Sequence, residues 1–241
     1  MPQQWTIRRR VTGEIMDSST LDPAEHRRAL AALRRINRVS RTAPQILKPI
    51  SEWARRVRSE RLSLLDVACG GGDVPVEVAV GLEQRGIHVD LTLLDRSATA
   101  LEEARSRADR AGITSRGVEA DVLAQLPSCS VDVVTCTLFL HHLRQPEQVS
   151  TLLRNMKECA RHLVIISDLR RSRGGLIAAW AGSRALSRSP IVHHDSVASV
   201  RAAWTRAELE DLARQAGMVG VRIAPCWPWR MLLVWERPAE A

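Results

Sequence analysis

The sequence predicts an α/β fold: a seven-stranded, mostly parallel sheet preceded by an N-terminal helical cap. Two observations carry that prediction. From about Ser63 onward, short apolar runs alternate with charged stretches of helical period, the pattern of βα units around a parallel sheet. The first apolar run, Leu64-Leu65-Asp66-Val67-Ala68, passes directly into Cys69-Gly70-Gly71-Gly72-Asp73 and a helix. A length of 241 residues suits one such core with added segments. The organisation expected is a basic cap over 1–61 and a main domain over 62–241.

In the cap, Asp22-Pro23-Ala24-Glu25 reads as a helix entry, with Asp22 capping, Pro23 in the first helical position and Glu25 closing a capping box. The helix that follows sets Leu30, Leu33, Ile36 and Asn37 on one face and Arg27, Arg28, Arg34, Arg35 and Arg38 on the rest. Pro44 and Pro49 are expected to interrupt the next stretch, leaving a second helix over 50–58. Strands are then expected near 63–68, 88–95, 115–120, 131–138, 161–168, 219–224 and 230–236. The intervening helices fall near 72–85, 97–112, 146–160, 175–186 and 206–217, the last opened by a capping box at Thr205 and Glu208.

Composition and charge close off several function classes. With 45% apolar and 26% charged residues the chain is neither disordered nor fibrous. The formal net charge of +8 invites a nucleic-acid reading, but residues 1–61 hold 14 basic and 6 acidic side chains, whereas 62–241 hold 21 of each. The excess is a property of the cap, and a solvated basic face accounts for it. Five cysteines without C-x-x-C or His/Cys metal spacing suggest reduced thiols, no metal and a cytoplasmic protein. No apolar run is long enough to span a bilayer.

Glycines after a strand let the backbone turn tightly and approach a ligand at a helix N-terminus. Alone this fits dinucleotide binding as well as anything else, but Pro75 stands where G-x-G-x-x-G would place its third glycine. The second strand ends in Leu94-Asp95-Arg96, a carboxylate suited to both hydroxyls of a ribose. The third ends in Glu119-Ala120-Asp121-Val122, suited to an adenine amino group. Together these residues resemble the class I S-adenosylmethionine-dependent methyltransferases, whose loop D/E-x-G-x-G-x-G is met here by Asp66, Ala68, Gly70 and Gly72. The departure is Ala68, tolerable if its φ is negative. The resemblance covers about 62–236. It implies a Rossmann-like sheet whose last strand is antiparallel, S-adenosylmethionine as cofactor, Asp95 with Arg96 at the ribose, Asp121 with Val122 at the adenine, and a fourth strand ending at Leu138 beside the methyl donor.

The fourth strand leads to Thr137-Leu138-Phe139-Leu140-His141-His142, without the N/D-P-P-Y/F of many amino-methylating enzymes. With the apolar rim and adjacent histidines, that favours a small, apolar or phenolic acceptor. His141 and His142 are candidate general bases, because imidazole can take a proton near neutrality. His194 beside Asp195 is a further candidate, and Trp180, Trp204, Trp227 and Trp229 are candidate pocket walls. The segments Glu14-Ile15-Met16-Asp17 and Ser199-Val200-Arg201-Ala202-Ala203 also resemble bacterial methyltransferases associated with type III polyketide synthases and quinone biosynthesis. Two alternatives stand beside an O-methylating enzyme of secondary metabolism: an RNA-modifying methyltransferase gripping phosphates through the cap, and a cofactor-binding homologue without catalysis. The expected partners are a small acceptor and, through the cap, a peripheral membrane surface. Nucleic acid is disfavoured, and the chain is expected to be a monomer or homodimer.

Overall fold

The computed structural model describes residues 7–17, 21–124 and 130–238, a few side chains of the first helix aside. Helices α1 (Pro23–Val39) and α2 (Thr42–Val57) precede β1 (Arg61–Val67), α3 (Asp73–Glu83), β2 (His88–Asp95), α4 (Ala98–Arg110) and β3 (Ser115–Glu119). The chain continues through β4 (Val131–Thr137), a 3-10 turn at Leu140–His142, α5 (Pro146–Cys159), β5 (Ala160–Leu169), α6 (Arg173–Leu186), α7 (Pro190–Ala202), α8 (Arg206–Gln215), β6 (Arg222–Cys226) and β7 (Arg230–Glu236).

The seven strands run in the order β3-β2-β1-β4-β5-β7-β6. All pairs from β3 to β5 are parallel, and β7 enters antiparallel to both β5 and β6. The order reverses between β1 and β4, which opens a crevice at their carboxyl ends, where ligands of open α/β sheets bind. Side chains alternate across the sheet with the period of two that a strand dictates. Leu62 and Leu64 of β1 and Leu163 and Ile165 of β5 face the core under α2, α3 and α4. Leu65, Val67, Val164 and Ile166 face the core under α5 and α8.

The expected elements are present with ends shifted by a few residues, and two helices differ from expectation. Helix α2 begins at Thr42 and runs through both prolines. Pro44 falls in the first turn, where an amide hydrogen has no helical partner anyway, and Pro49 is carried inside because Ile46, Ile50, Trp53 and Ala54 bury one face of the helix against the sheet. Helix α7 occupies a stretch where the sequence suggests only a long connection. Its buried face includes Asp195 and Ser199, which break the apolar periodicity. Asp22 does cap α1, accepting from the Glu25 amide at 3.0 Å. Ala29 and Ala32 are the described residues of α1 that are fully buried, with Leu33, Ile36 and Asn37 half-buried, while the side chains of Arg27 and Leu30 lie outside the described residues.

Cys69, Cys136 and Cys226 are free, but Cys159 is disulfide-bonded, so the all-thiol expectation fails there. Among the described residues no helix is long and apolar enough to cross a membrane. Ala68 has φ of +56°, so the condition under which the alanine would be tolerated without strain, a negative φ, is not met. A left-handed conformation costs an L-residue roughly 1–2 kcal/mol, and glycine escapes that cost.

Two stability measurements check these points. Ala68→Gly is expected to raise the unfolding free energy by about 1 kcal/mol in denaturant titrations, after the entropy of the unfolded glycine is subtracted. A loss of stability would mean that the alanine is unstrained. Ile50→Ala, at a fully buried position, is expected to cost about 2–5 kcal/mol. A change within about 0.5 kcal/mol, the range of surface substitutions, would show that α2 is detachable from the core.

Candidate functional site

A cleft of about 580 Å3 opens at the carboxyl ends of the strands and is lined by residues of the glycine loop, β2, the segment after β3, the turn after β4, α1 and the N-terminal strand of chain. That volume falls within the range of small-molecule sites. Of the residues singled out from sequence, Asp66, Ala68, Gly70, Asp95, Arg96, Asp121, Val122, Leu138, His141 and His142 line it. Gly72 sits behind the loop, where a Cβ would lie 2.8 Å from that of Ala104, so its role is close packing on α4.

The loop is held by what surrounds it. Asp95 at the end of β2 accepts from the Gly70 amide at 2.8 Å and from the Ser97 amide at 3.0 Å. A carboxylate has about four acceptor directions, so two remain for hydroxyl donors in the cleft. Gly70 has φ of +51° and nothing within 4 Å of the place a Cβ would take, which leaves its backbone open to close approach. Arg107 donates to the Gly71 carbonyl at 2.8 Å. Asp66 lies beneath, buried, accepting from the Thr135 hydroxyl at 2.5 Å. Burial, with Asp73 and Asp95 nearby, pushes its carboxyl up to about 7 against the opposing hydrogen bond. Asp121 turns back to accept from the Leu123 amide at 2.9 Å, bringing Val122 under the cleft floor.

At the other end stands a histidine–carboxylate cluster. Nδ1 of His141 lies 2.7 Å from Oδ1 of Asp168 at the end of β5, and Nε2 lies 3.5 Å from Oε1 of Glu14. Burial opposes the charge on His141, but the attraction and hydrogen bonds of Asp168 and Glu14 outweigh it and raise its pKa to about 10. Burial likewise opposes ionisation of Glu14 and Asp168, yet His141 holds both below the usual carboxylate range. The raised pKa favours a protonated His141 between the two carboxylates, a state that suits positioning better than the base role the sequence suggests. His142 faces the cleft, stacked on Phe139 with ring centroids 5.9 Å apart, its Nε2 3.9 Å from Glu14. Glu14, His141 and His142 each offer a ligand atom within 4.8 Å of the others, a spacing that a divalent cation can also use.

Glu14 reaches this position through a strap that sequence reasoning left without a role. Asp195 of α7 accepts from the amides of Ile15 at 2.9 Å and Met16 at 3.0 Å, and the Ser199 hydroxyl donates to Glu14. Arg9 donates to the carbonyls of Leu143, Arg144 and Ala202 and lies 3.7 Å over the Trp204 ring. Arg171 ties Ile7 to Ala203 and Glu208. On α1, Asn37 accepts from Arg230 at 3.1 Å and donates to Asp73 at 3.0 Å, docking the helix on the first turn of α3.

His194 is not brought to the cleft. Its ring is half exposed and bonded to Asp195, whose carboxylate serves the strap, so the placement does not match a second base. The four candidate tryptophans are also absent from the lining: Trp204 is buried and donates to the Leu140 carbonyl, and Trp180, Trp227 and Trp229 face outward.

The cluster has a pH signature. A raised histidine pKa stabilises fully below the ordinary value of 6.5, and that contribution is lost as pH rises through about 10. The difference in Tm between the parent and His141→Gln is expected to be largest near pH 6 and to shrink steadily toward pH 10. A pH-independent difference would show that His141 is neutral in the fold.

Residues 64–163 match a family model described as a methyltransferase domain. A ubiquinone biosynthesis O-methyltransferase of Pectobacterium atrosepticum is 30% identical over 173 residues, 71% of this chain and 68% of that protein. One from Cupriavidus pinatubonensis is 26% identical over 156 residues, 64% of this chain. The chain spans only 59% of that relative's length. Among solved structures, the apo form of the S-adenosylmethionine-dependent methyltransferase SibL is 26% identical with a TM-score of 0.56, over 73% of this chain and 50% of SibL. Magnesium protoporphyrin IX methyltransferase from Synechocystis PCC 6803 shares the fold, with a TM-score of 0.55 at 16% identity over 92% of this chain and 91% of that one. With the glycine loop, the ordered carboxylates and the strand order in place, the chain belongs to the class I S-adenosylmethionine-dependent methyltransferases.

Proposed function

We propose that the chain methylates a hydroxyl oxygen of a small phenolic, polyketide or lipid-like acceptor seated at the Glu14–His142 end of the cleft. The observation that carries this reading is the sharing of one cleft by the glycine loop with Asp95 and by His142 beside Glu14. The names of the O-methyltransferase relatives support oxygen as the acceptor atom. In this reading Asp66, Ala68, Gly70, Gly72, Asp95, Arg96, Asp121, Val122 and Leu138 form the cofactor side.

When bound, S-adenosylmethionine supplies a methyl carbon on a positively charged sulfur, an electrophile already activated. The residues of the chain then have to hold the acceptor in line, exclude water and take its proton. His142 would take that proton at Nε2 as the O–H bond breaks, freeing the oxygen's electron pair for the methyl carbon that the cofactor would supply, with the carbon–sulfur pair leaving on sulfur. Glu14 balances the imidazolium formed on His142. His141, already cationic, keeps Glu14 ionised and fixes the turn. The strap closes that end of the cleft over the reacting atoms.

Two variants test the division of labour. Asp95→Ala is expected to weaken cofactor binding roughly 10- to 100-fold by calorimetry, the loss of charge-assisted hydrogen bonds, and no binding by the parent would overturn the reading. His142→Ala is expected to lower kcat toward phenolic acceptors by about 10²–10⁴ while cofactor affinity stays within about twofold. Undiminished turnover would leave alignment alone as the mechanism, and transfer confined to RNA would replace the acceptor class.

A further inference from the structure

The face of the molecule built from α6, its junction with α7 and the outer side of α1 is inside out. Fully buried positions on α6 are Gly175 and Ser183, while Ile177 is 69% and Trp180 55% exposed. A helix that packs only on its own core buries its large apolar residues and exposes the small polar ones. Two further exposed rings adjoin it. The Trp229 indole lies where a Cβ on Gly174 would stand, at the start of α6, and Trp227 is two residues away in the same turn between β6 and β7.

The charge around this apolar ridge is mostly positive. Residues 169–194 contain five arginines and no Asp or Glu. The Arg184 guanidinium lies 4.6 Å over the Trp180 ring, and Arg35 of α1 donates to the Leu186 carbonyl. Between α1 and the α6–α7 junction a groove of about 720 Å3 is lined by Arg28, Arg35, Arg184 and Arg188 against Glu25. All four arginines are exposed. Tryptophan and aliphatic side chains ringed by arginines suit the interface of an anionic bilayer, where the rings sit at headgroup depth and each basic residue adds attraction. A second copy fits badly, because a two-fold contact would set this arginine-rich face against itself.

We propose that this face docks the protein on an anionic lipid membrane, with Ile177 and Trp180 entering the interface and the arginine groove taking lipid phosphates. Docking does not depend on the acceptor assigned above. It sets α1 against the lipid surface, and the opposite edge of α1, at Leu33, Arg34 and Asn37, lines the catalytic cleft.

The test is co-sedimentation of the full chain with phosphatidylcholine vesicles, with and without phosphatidylglycerol. Binding at least tenfold tighter to the anionic vesicles, weakening as salt rises, is expected. Loss of basic charge is worth roughly fivefold per residue, so Arg184→Glu with Arg188→Glu should weaken binding more than 20-fold. Ile177→Ser with Trp180→Ser should also weaken it, and both double variants should keep the parent's calorimetric affinity for S-adenosylmethionine. Equal binding to both vesicle types, or variants that bind like the parent, would overturn the proposal. A parent dimer that dissociates in the Ile177→Ser, Trp180→Ser variant would give the face to a second copy instead.

Discussion

The site depends on one buried interaction, the ring of His141 held between Asp168 and Glu14. Its three members come from separate parts of the chain: the strap ahead of α1, the turn after β4 and the end of β5. Each alone would be costly in this place, since an unpaired buried charge destabilises by several kcal/mol. Together they satisfy one another, so the strap can carry Glu14 into the cleft only when the turn presents His141 against β5. The interaction therefore couples the position of the strap to that of the turn that carries His142 into the cleft.

The rest of the site follows from the sheet. Parallel strands end on one edge, and the reversal between β1 and β4 places Asp66, Asp95 and Asp121 around a single opening. Their environments give them different roles. Asp66 is buried and pushed toward protonation, whereas Asp95 is fixed by two backbone amides with acceptor capacity still directed at the cleft. The cationic surplus lies elsewhere, on the exposed sides of α1 and α6. Arginines inside the structure act as staples instead, with Arg9, Arg171 and Arg230 joining chain segments through carbonyl oxygens and side-chain partners.

The glycine-loop side of the cleft was legible because its elements are local in sequence: a strand, a glycine loop and a carboxylate one βα unit later. Ala68 was legible as a departure but not as strain, since its φ is set by the loop and not by its own preference. The Glu14–His142 end was much less so. Glu14 belonged to a noticed segment, but its partners lie 127 residues or more away in sequence, and Asp195 and Ser199 disguised α7 by occupying its buried face with polar groups. Adjacent histidines looked equivalent until Asp168 distinguished them. His194 pointed to the right helix, although it is the neighbouring carboxylate that acts, through the strap. Pro49 suggested a break that tertiary burial of α2 overrides.

The state of His141 is open to direct measurement through the nitrogen-15 chemical shifts of its ring across pH 6 to 10. The account predicts two protonated ring nitrogens at pH 8, with deprotonation only toward pH 10, a lower midpoint in Glu14→Gln and a larger fall in Asp168→Asn. A neutral ring at pH 7, with one nitrogen unprotonated, would contradict it.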